Sequence, residues 1–245
     1  MKKELEIKKE NGYRIAAEAF VPGDGGGEYP TVIFSHGLDS NYRELEHYAP
    51  YFEEAGIASI FFDFCGGSLD TKSEGSMEEM TVLTEAEDLR CVLDEAKKYD
   101  FVDTDRIYLA GESMGGFVTA YVAALLPEEI KALVLWYPAF IIPEDSRARF
   151  QVGMKSFGGL PLSPDFNKVA MGIDIYNMIS AYKRPVKIIH GDMDQIVPIS
   201  YSKKAIEYFE DVSLTVIKGA EHGFIRLGSE QAIEETVSFI KKTEQ

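Results

Sequence analysis

Residues 107–126 read IYLAGESMGGFVTAYVAALL, and this stretch decides the fold. Ile107 to Ala110 have the apolar, branched and aromatic character of a short strand buried on both faces, and from Met114 to Leu126 the apolar pattern runs on for the length of a helix. Between them Gly111, Glu112, Ser113, Met114 and Gly115 spell G-x-S-x-G. A strand before that motif and a helix after it are the context of a nucleophile elbow, a turn so sharp that the serine hydroxyl projects above the sheet. Gly111 and Gly115 carry no side chain that would collide in such a turn, and Gly116 lets the helix approach the strand. Ser113 is therefore the candidate nucleophile, set against the plainer reading of a structural serine.

Working outward, the same rhythm recurs on both sides. An amphipathic hairpin is expected at the start (Leu5 to Ile7, Ile15 to Val21). Continuous apolar runs follow at Thr31 to Ser35, Ala58 to Asp63, Ala132 to Trp136, Val186 to Ile189 and Leu214 to Ile217. Helical patterns alternate with them at Tyr42 to Ala55, Thr81 to Tyr99, Ile199 to Phe209 and Glu230 to Lys242. Strand, helix, strand alternation implies an α/β class fold, a mostly parallel eight-stranded sheet with right-handed crossovers and helices on both faces. One stretch departs from it. Residues 138–183 are too long for a plain connection and mix Phe140, Phe150, Phe157, Phe166 and Tyr176 with Gly158, Gly159, Pro161 and Pro164. A small inserted cap within a single domain spanning 1–245 is expected, the alternative being a crossover helix with long loops. The glycines of Gly23 to Glu28 precede a strand where a phosphate loop would open a helix, and they read as a turn.

Composition narrows the partners. Lys and Arg total 25 against 41 Asp and Glu in 245 residues, a net charge of −16, and such a surface repels phosphate backbones and anionic headgroups. Nucleic acid and membrane are not expected partners; a neutral or singly charged small molecule is. Cys65 and Cys91 form no CxxC pair and no zinc spacing, which fits a reducing compartment. The basic N-terminus has no apolar stretch behind it, and no run of 18 apolar residues occurs, so a cytoplasmic protein is expected. A homodimer is compatible with the sequence.

A serine needs a base to take its proton and an acid to orient that base, in the chain order Ser, Asp, His. Past the strand at Val186 come His190, Gly191, Asp192, Met193 and Asp194; past the strand at Leu214 come Gly219, Ala220, Glu221, His222 and Gly223. Both groups emerge at the carboxyl ends of parallel strands, the edge where Ser113 emerges and where open sheets bind ligands. His222, in a glycine-flanked loop, is the base expected, and an imidazole's unperturbed pKa of about 6.5 suits that work. Of the other histidines, His47 belongs to a surface helix, His190 to a strand end, and His36 braces loops without transferring protons. Asp194 is favoured as the orienting acid, because Gln195 to Pro198 can turn its carboxylate back toward the last strand; Asp192 is expected to cap the turn. A metal reading of HGDMD lacks a second ligand cluster, and no metal or other cofactor is called for. The oxyanion needs two preorganised donors, expected from the backbone N–H groups of Met114 and of Leu38 in the loop after Thr31 to Ser35. Cys65, close to the expected site, is a redox liability there, and with no evident imidazole partner it is not expected to act as a nucleophile.

HGLDSN, GESMGG, HGDMDQIVP and GAEHGF, in this order and spacing, resemble the α/β-hydrolase superfamily over essentially the whole chain. The segment FDFCGGSLDTKSEGSMEEMTVLTEAEDL is similar to the one that follows the fourth core strand in bacterial cinnamoyl or feruloyl esterases, single-domain intracellular enzymes with a small cap. The resemblance places nucleophile, acid and base on Ser113, Asp194 and His222 and the oxyanion amides on Leu38 and Met114. It also implies that Asp145, as the counterpart of a cap aspartate, holds the phenolic end of the substrate. Phe166 stands where that subfamily has a cap tyrosine, and Cys65-Gly66-Gly67 where it usually has a histidine. The expectation is a serine carboxylesterase acting on small esters, of hydroxycinnamoyl type. Two alternatives are a small peptidase of prolyl-oligopeptidase type and a ligand-binding module on a hydrolase scaffold. Dehalogenases and epoxide hydrolases need an aspartate at the elbow.

Overall fold

Strands buried on both faces lose the alternation of a half-exposed sheet, and the reason is visible in one of them. The computed structural model describes residues 1–244. In β3 (Tyr29–Ser35) Val32 and Phe34 enter one core while Ile33 enters the other, so these consecutive positions are all apolar although successive side chains point oppositely. Eight strands share the sheet. They are β1 (Lys2–Lys8), β2 (Arg14–Phe20), β3, β4 (Ala58–Phe62), β5 (Val102–Glu112), β6 (Ala132–Trp136), β9 (Val186–Gly191) and β10 (Val212–Ile217). A separate hairpin supplies β7 (Ser156–Phe157) and β8 (Leu160–Pro161). The sheet order is β1-β2-β4-β3-β5-β6-β9-β10. Only β2 runs against its neighbours, since β3, β4, β5, β6, β9 and β10 pair in parallel.

Helices cover both faces. On one, α3 (Val82–Ala96) buries Leu89 and α4 (Ser113–Leu125) buries Phe117; on the other, α2 (Ala49–Glu54) buries Phe52 and α9 (Ser229–Thr243) buries Ile233. Helix α3 starts where Thr81 and Thr84 exchange side-chain to backbone hydrogen bonds of 3.2 and 2.8 Å, a capping box that satisfies two amides the helix leaves open. The helix expected from Tyr42 to Ala55 is divided into α1 (Tyr42–Leu45), a 3-10 turn at Glu46–Tyr48, and α2. Pro50 lies in the first turn of α2, where its missing N–H and fixed φ are tolerated, and it could not continue a helix from upstream. The one expected at Ile199 to Phe209 shortens to α8 (Ser200–Ala205). Gly23 to Glu28 form a turn into β3.

Between β6 and β9 the chain makes α5 (Ile142–Gln151), the β7 and β8 hairpin, α6 (Phe166–Ala170) and α7 (Ile175–Ile179). Here α5 packs on α6, while α7 packs on α4 and ties the segment to the body. No helix among the described residues is long and apolar enough to cross a membrane.

Candidate active site

The strand β5 delivers Glu112 to the sheet edge, and the chain then turns at Ser113 with φ of +50°, a left-handed value that non-glycine residues seldom adopt. The turn is crowded. A Cβ on Gly115 would lie 2.2 Å from the His36 carbonyl oxygen, and one on Gly111 would lie 2.6 Å from that of Gly115. Only glycine fits where the elbow presses against the end of β3. The Ser113 carbonyl is held from below by the Ala139 N–H at 2.8 Å, leaving the hydroxyl free to face the loops after β9 and β10.

Those two loops are stapled together. Asp192 N–H donates to the Ile217 carbonyl at 3.2 Å, Met193 N–H donates to that of Ala220 at 3.0 Å, and the Asp192 carboxylate accepts from Gly219 N–H at 2.6 Å. Asp192 therefore does not cap its own turn as expected; it reaches across to the neighbouring loop. Asp194 caps the turn instead, its Oδ1 accepting from Ile196 and Val197 N–H at 2.9 and 2.8 Å. The other oxygen, Oδ2, lies 2.7 Å from His222 Nδ1, and His222 Nε2 lies 3.0 Å from Ser113 Oγ. A carboxylate only accepts, so Nδ1 carries the proton and Nε2 presents its lone pair to the serine hydroxyl. That is the protonation a base needs.

His190 is the residue that sequence reasoning left out of this group. It is fully buried; Nε2 donates to the Val197 carbonyl at 2.8 Å and lies 3.2 Å from Asp194 Oδ2, while Nδ1 accepts from the Ser202 hydroxyl at 2.7 Å. Its spacing of four residues from Asp194 in a short loop was the available signal. Burial alone would push the Asp194 carboxyl up, but hydrogen bonds from His190, His222 and Val197 N–H outweigh it and hold the group well below the usual carboxylate range.

His36 joins loops. Its Nδ1 donates to the Gly37 carbonyl at 2.7 Å and its Nε2 accepts from Phe64 N–H at 3.0 Å, and burial pushes its pKa down, so the ring stays neutral and locks the loop that carries Leu38. Glu112 supports that loop as well, accepting from Gly37 N–H at 3.3 Å. Met114 N–H belongs to the first turn of α4, where helix geometry leaves amides without intrahelical partners. Leu38, Met114 and Ser113 line one cavity, whose further walls come from α5, α6 and the Asp194 loop through Ile142, Leu162, Phe166 and Ile196. Asp145 and Arg149 are its two charged residues. His47 is exposed on its 3-10 turn. Cys65 is buried outside this cavity, its thiol pushed up to about 12 chiefly by burial.

The cleft thus sets the Ser113 hydroxyl against an imidazole placed to take its proton, beside Leu38 and Met114 in a largely apolar pocket. Known proteins share its frame. Residues 28–162, more than half of the chain, match the family described as "Serine aminopeptidase, S33". The structure of Est1E from Butyrivibrio proteoclasticus with ferulic acid bound superposes with a TM-score of 0.88 at 27% identity, covering 98% of this chain and 99% of that one. A monoacylglycerol lipase of Mycolicibacterium smegmatis is 26% identical over 250 residues, covering 86% of each chain. An uncharacterized 31.7 kDa protein of Escherichia coli is 32% identical over 121 residues, 49% of this chain, and this chain spans only 41% of that relative's length. The chain belongs to the S33 serine aminopeptidase family and is an α/β hydrolase of the esterase and lipase type.

Proposed function

We propose that this protein hydrolyses small carboxylic esters, of hydroxycinnamoyl type, through an acyl-enzyme on Ser113. The observation that carries this reading is the hydrogen-bonded line from Asp194 Oδ2 through His222 to Ser113 Oγ, with contacts of 2.7 and 3.0 Å. His222 Nε2 takes the hydroxyl proton as Oγ attacks the ester carbonyl carbon, and the carbonyl oxygen, now an oxyanion, accepts from the Leu38 and Met114 amides. The protonated imidazole then gives its proton to the departing alcohol oxygen. Water, deprotonated by the same Nε2, attacks the acyl carbon; Ser113 leaves with the proton and the carboxylic acid is released. Asp194 holds the imidazole in one tautomer throughout. The apolar cavity with Asp145 and Phe166 in its wall supports an aromatic acyl group, as does the ferulic acid bound by the structurally similar Est1E.

The family's description favours a second reading, cleavage of peptides from a free N-terminus. Such a site needs an anion for the substrate's ammonium. Asp145 is the carboxylate in the cavity wall, and the Arg149 guanidinium 3.5 Å away opposes a second cation there, so the ester reading is preferred. A binding module without chemistry would have no use for the ordered acid, base and hydroxyl.

The test is a fluorophosphonate probe together with turnover of p-nitrophenyl butyrate, methyl ferulate and amino-acid anilides. Labelling and ester turnover that both vanish in Ser113→Ala, by on the order of 10⁴-fold or more in kcat, are expected. Undiminished turnover in that variant overturns the nucleophile, anilide cleavage without ester cleavage favours the peptidase, and folded wild type that takes no probe favours the binding module.

A further inference from the structure

The guanidinium of Arg149 is an unusual wall for a largely apolar cavity. Its side chain is only 11% exposed, yet the one carboxylate beside it among the described residues, Asp145, meets it at 3.5 Å and is itself 40% exposed. Its remaining contacts are to neutral groups. Nε donates to Asn167 Oδ1 at 3.1 Å and Nη2 to the Ser146 hydroxyl at 3.0 Å, and the Phe157 ring lies against the guanidinium with its centroid 5.3 Å away. Asn167 is pinned in turn by donating to the Met154 carbonyl at 3.0 Å, and Ser146 is fully buried. An arginine offers five N–H donors; three are engaged here, one of them at the limit of a hydrogen bond. Burial pulls its pKa down from the ordinary value against the opposing pull of Asp145, the mark of a cation whose loss of water its one counter-charge does not offset. A cation held this rigidly is preorganised to donate to whatever acceptor enters the cavity.

The acceptor cannot be chosen without Asp145, because the two residues stand one helical turn apart on α5 and line the same cavity. A substrate carboxylate would satisfy Arg149 while facing the like charge of Asp145. A neutral group bearing a donor and, next to it, an acceptor satisfies both at once. Two oxygens on adjacent ring carbons, one a free hydroxyl, have that form: the hydroxyl donates to Asp145 and its neighbour accepts from a guanidinium N–H.

We infer that Arg149 is a specificity-determining residue, donating to the second ring oxygen of the acyl group, so that the enzyme selects phenolic esters with two adjacent ring oxygens over those with one or none. This rests on the ester hydrolase reading above and sharpens it.

The experiment compares kcat/KM for methyl ferulate, methyl caffeate, methyl p-coumarate and monoethyl adipate in the wild type, Arg149→Met and Arg149→Lys, with p-nitrophenyl butyrate as the measure of intact chemistry. Wild type is expected to favour ferulate and caffeate over p-coumarate on the order of 10- to 100-fold, the range of a hydrogen bond to a charged donor. Arg149→Met should erase that preference, read as the ratio of kcat/KM for ferulate to that for p-coumarate within the variant, so that any loss common to both substrates cancels, and Arg149→Lys should keep part of it. Equal wild-type rates on ferulate and p-coumarate overturn the inference whatever the variants do, and so does a preference that survives in Arg149→Met. Faster turnover of monoethyl adipate than of ferulate also overturns it, by making Arg149 a carboxylate site. Were the ester reading itself wrong, wild type would fail on p-nitrophenyl butyrate too, which separates the two failures.

Discussion

The Tyr137 hydroxyl donates to Glu112 Oε2 across 2.6 Å while its ring stands edge-on to the His222 imidazole, the centroids 4.7 Å apart. Glu112 thereby joins two parts of the site, since its Oε1 accepts from Gly37 N–H in the loop that carries Leu38. Tyr137 is buried and holds a left-handed φ of +36°, so its position is imposed by its surroundings, among them the 2.8 Å bond from its N–H to the Ile189 carbonyl. Tyr137→Phe keeps the ring and removes the donor. Leaving a carboxylate oxygen short of its partner is expected to cost about 1–3 kcal/mol of stability. It should also lower kcat on the order of tenfold with KM little changed, because neither group lines the substrate cavity. Thermal unfolding and steady-state kinetics on p-nitrophenyl butyrate check this; an unaltered kcat would show that Glu112 and Tyr137 serve the fold alone.

Asp194 makes a pH-dependent contribution whose sign follows from its depressed pKa. Its stabilising effect is fully present above the unfolded-state value of about 3.9 and drains away as the pH falls from there toward the lower folded-state pKa. Asp194→Asn abolishes that acid-labile part. It also puts an amide where Nδ1 of His222 needs an acceptor, favouring the wrong tautomer, and a loss of kcat on the order of 10⁴-fold is expected. Acid titration of unfolding should show a shallower decline below pH ~4 in the variant. Parallel curves for the two proteins would mean that the carboxylate is not held as the geometry requires.

How much of this was legible beforehand depends on how local the cause is. The elbow could be read because its signature lies within five residues, although only part of its cause is that local: a Cβ on Gly111 would meet the backbone of Gly115, whereas one on Gly115 would meet the distant end of β3. The loops bearing Asp194 and His222 could be placed because strand and crossover alternation puts all carboxyl ends on one edge. What stayed hidden is fixed by contacts between distant segments. His190 reads as a strand end, yet its bond to Ser202 on α8 aims Nε2 toward Asp194. Arg149 is one charge among several on a helix of weak amphipathic pattern, and only the approach of α6 and Phe157 makes it a cavity wall. The elements of 138–183 are short, five residues each in α6 and α7, and such lengths leave no period to read.

Glycine at 115 gives a steric prediction with an internal control. A methyl group there meets backbone at 2.2 and 2.5 Å, from the His36 and Ser35 carbonyls, and backbone cannot step aside as a flexible side chain can. Gly115→Ala should therefore fail to fold or lose several kcal/mol, with the elbow and the Leu38 loop forced apart. Gly172, where the nearest atom to an added Cβ would be 3.5 Å away, should accept alanine within about 0.5 kcal/mol. Urea unfolding of both variants decides; equal midpoints would deny that the close approach of β3 and α4 sets the elbow.

Glu85 shows the opposite pH sign from Asp194. It is fully buried on α3, neither carboxyl oxygen has a hydrogen-bond partner among the described residues, and burial, reinforced by Asp88, pushes its pKa well above the usual value. The native state therefore keeps a proton that the unfolded chain releases above about pH 4.3, so stability declines as the pH rises from there toward the folded-state pKa. Asp88, pushed up to about 6 by burial against the opposing pull of Lys9, adds to the same slope over a narrower range. Glu85→Gln keeps the volume and removes the titration. The variant should gain on the wild type as the pH is raised through 5 to 8, by at most about 1.4 kcal/mol per pH unit, each 1 kcal/mol appearing as roughly 2–4 °C in Tm. Glu85 does not line the substrate cavity, so ester turnover should be unchanged. A difference in Tm between the two proteins that stays constant over this range would mean that the carboxyl is ionised in the native state, which full burial without a hydrogen-bond partner and with Asp88 beside it does not permit.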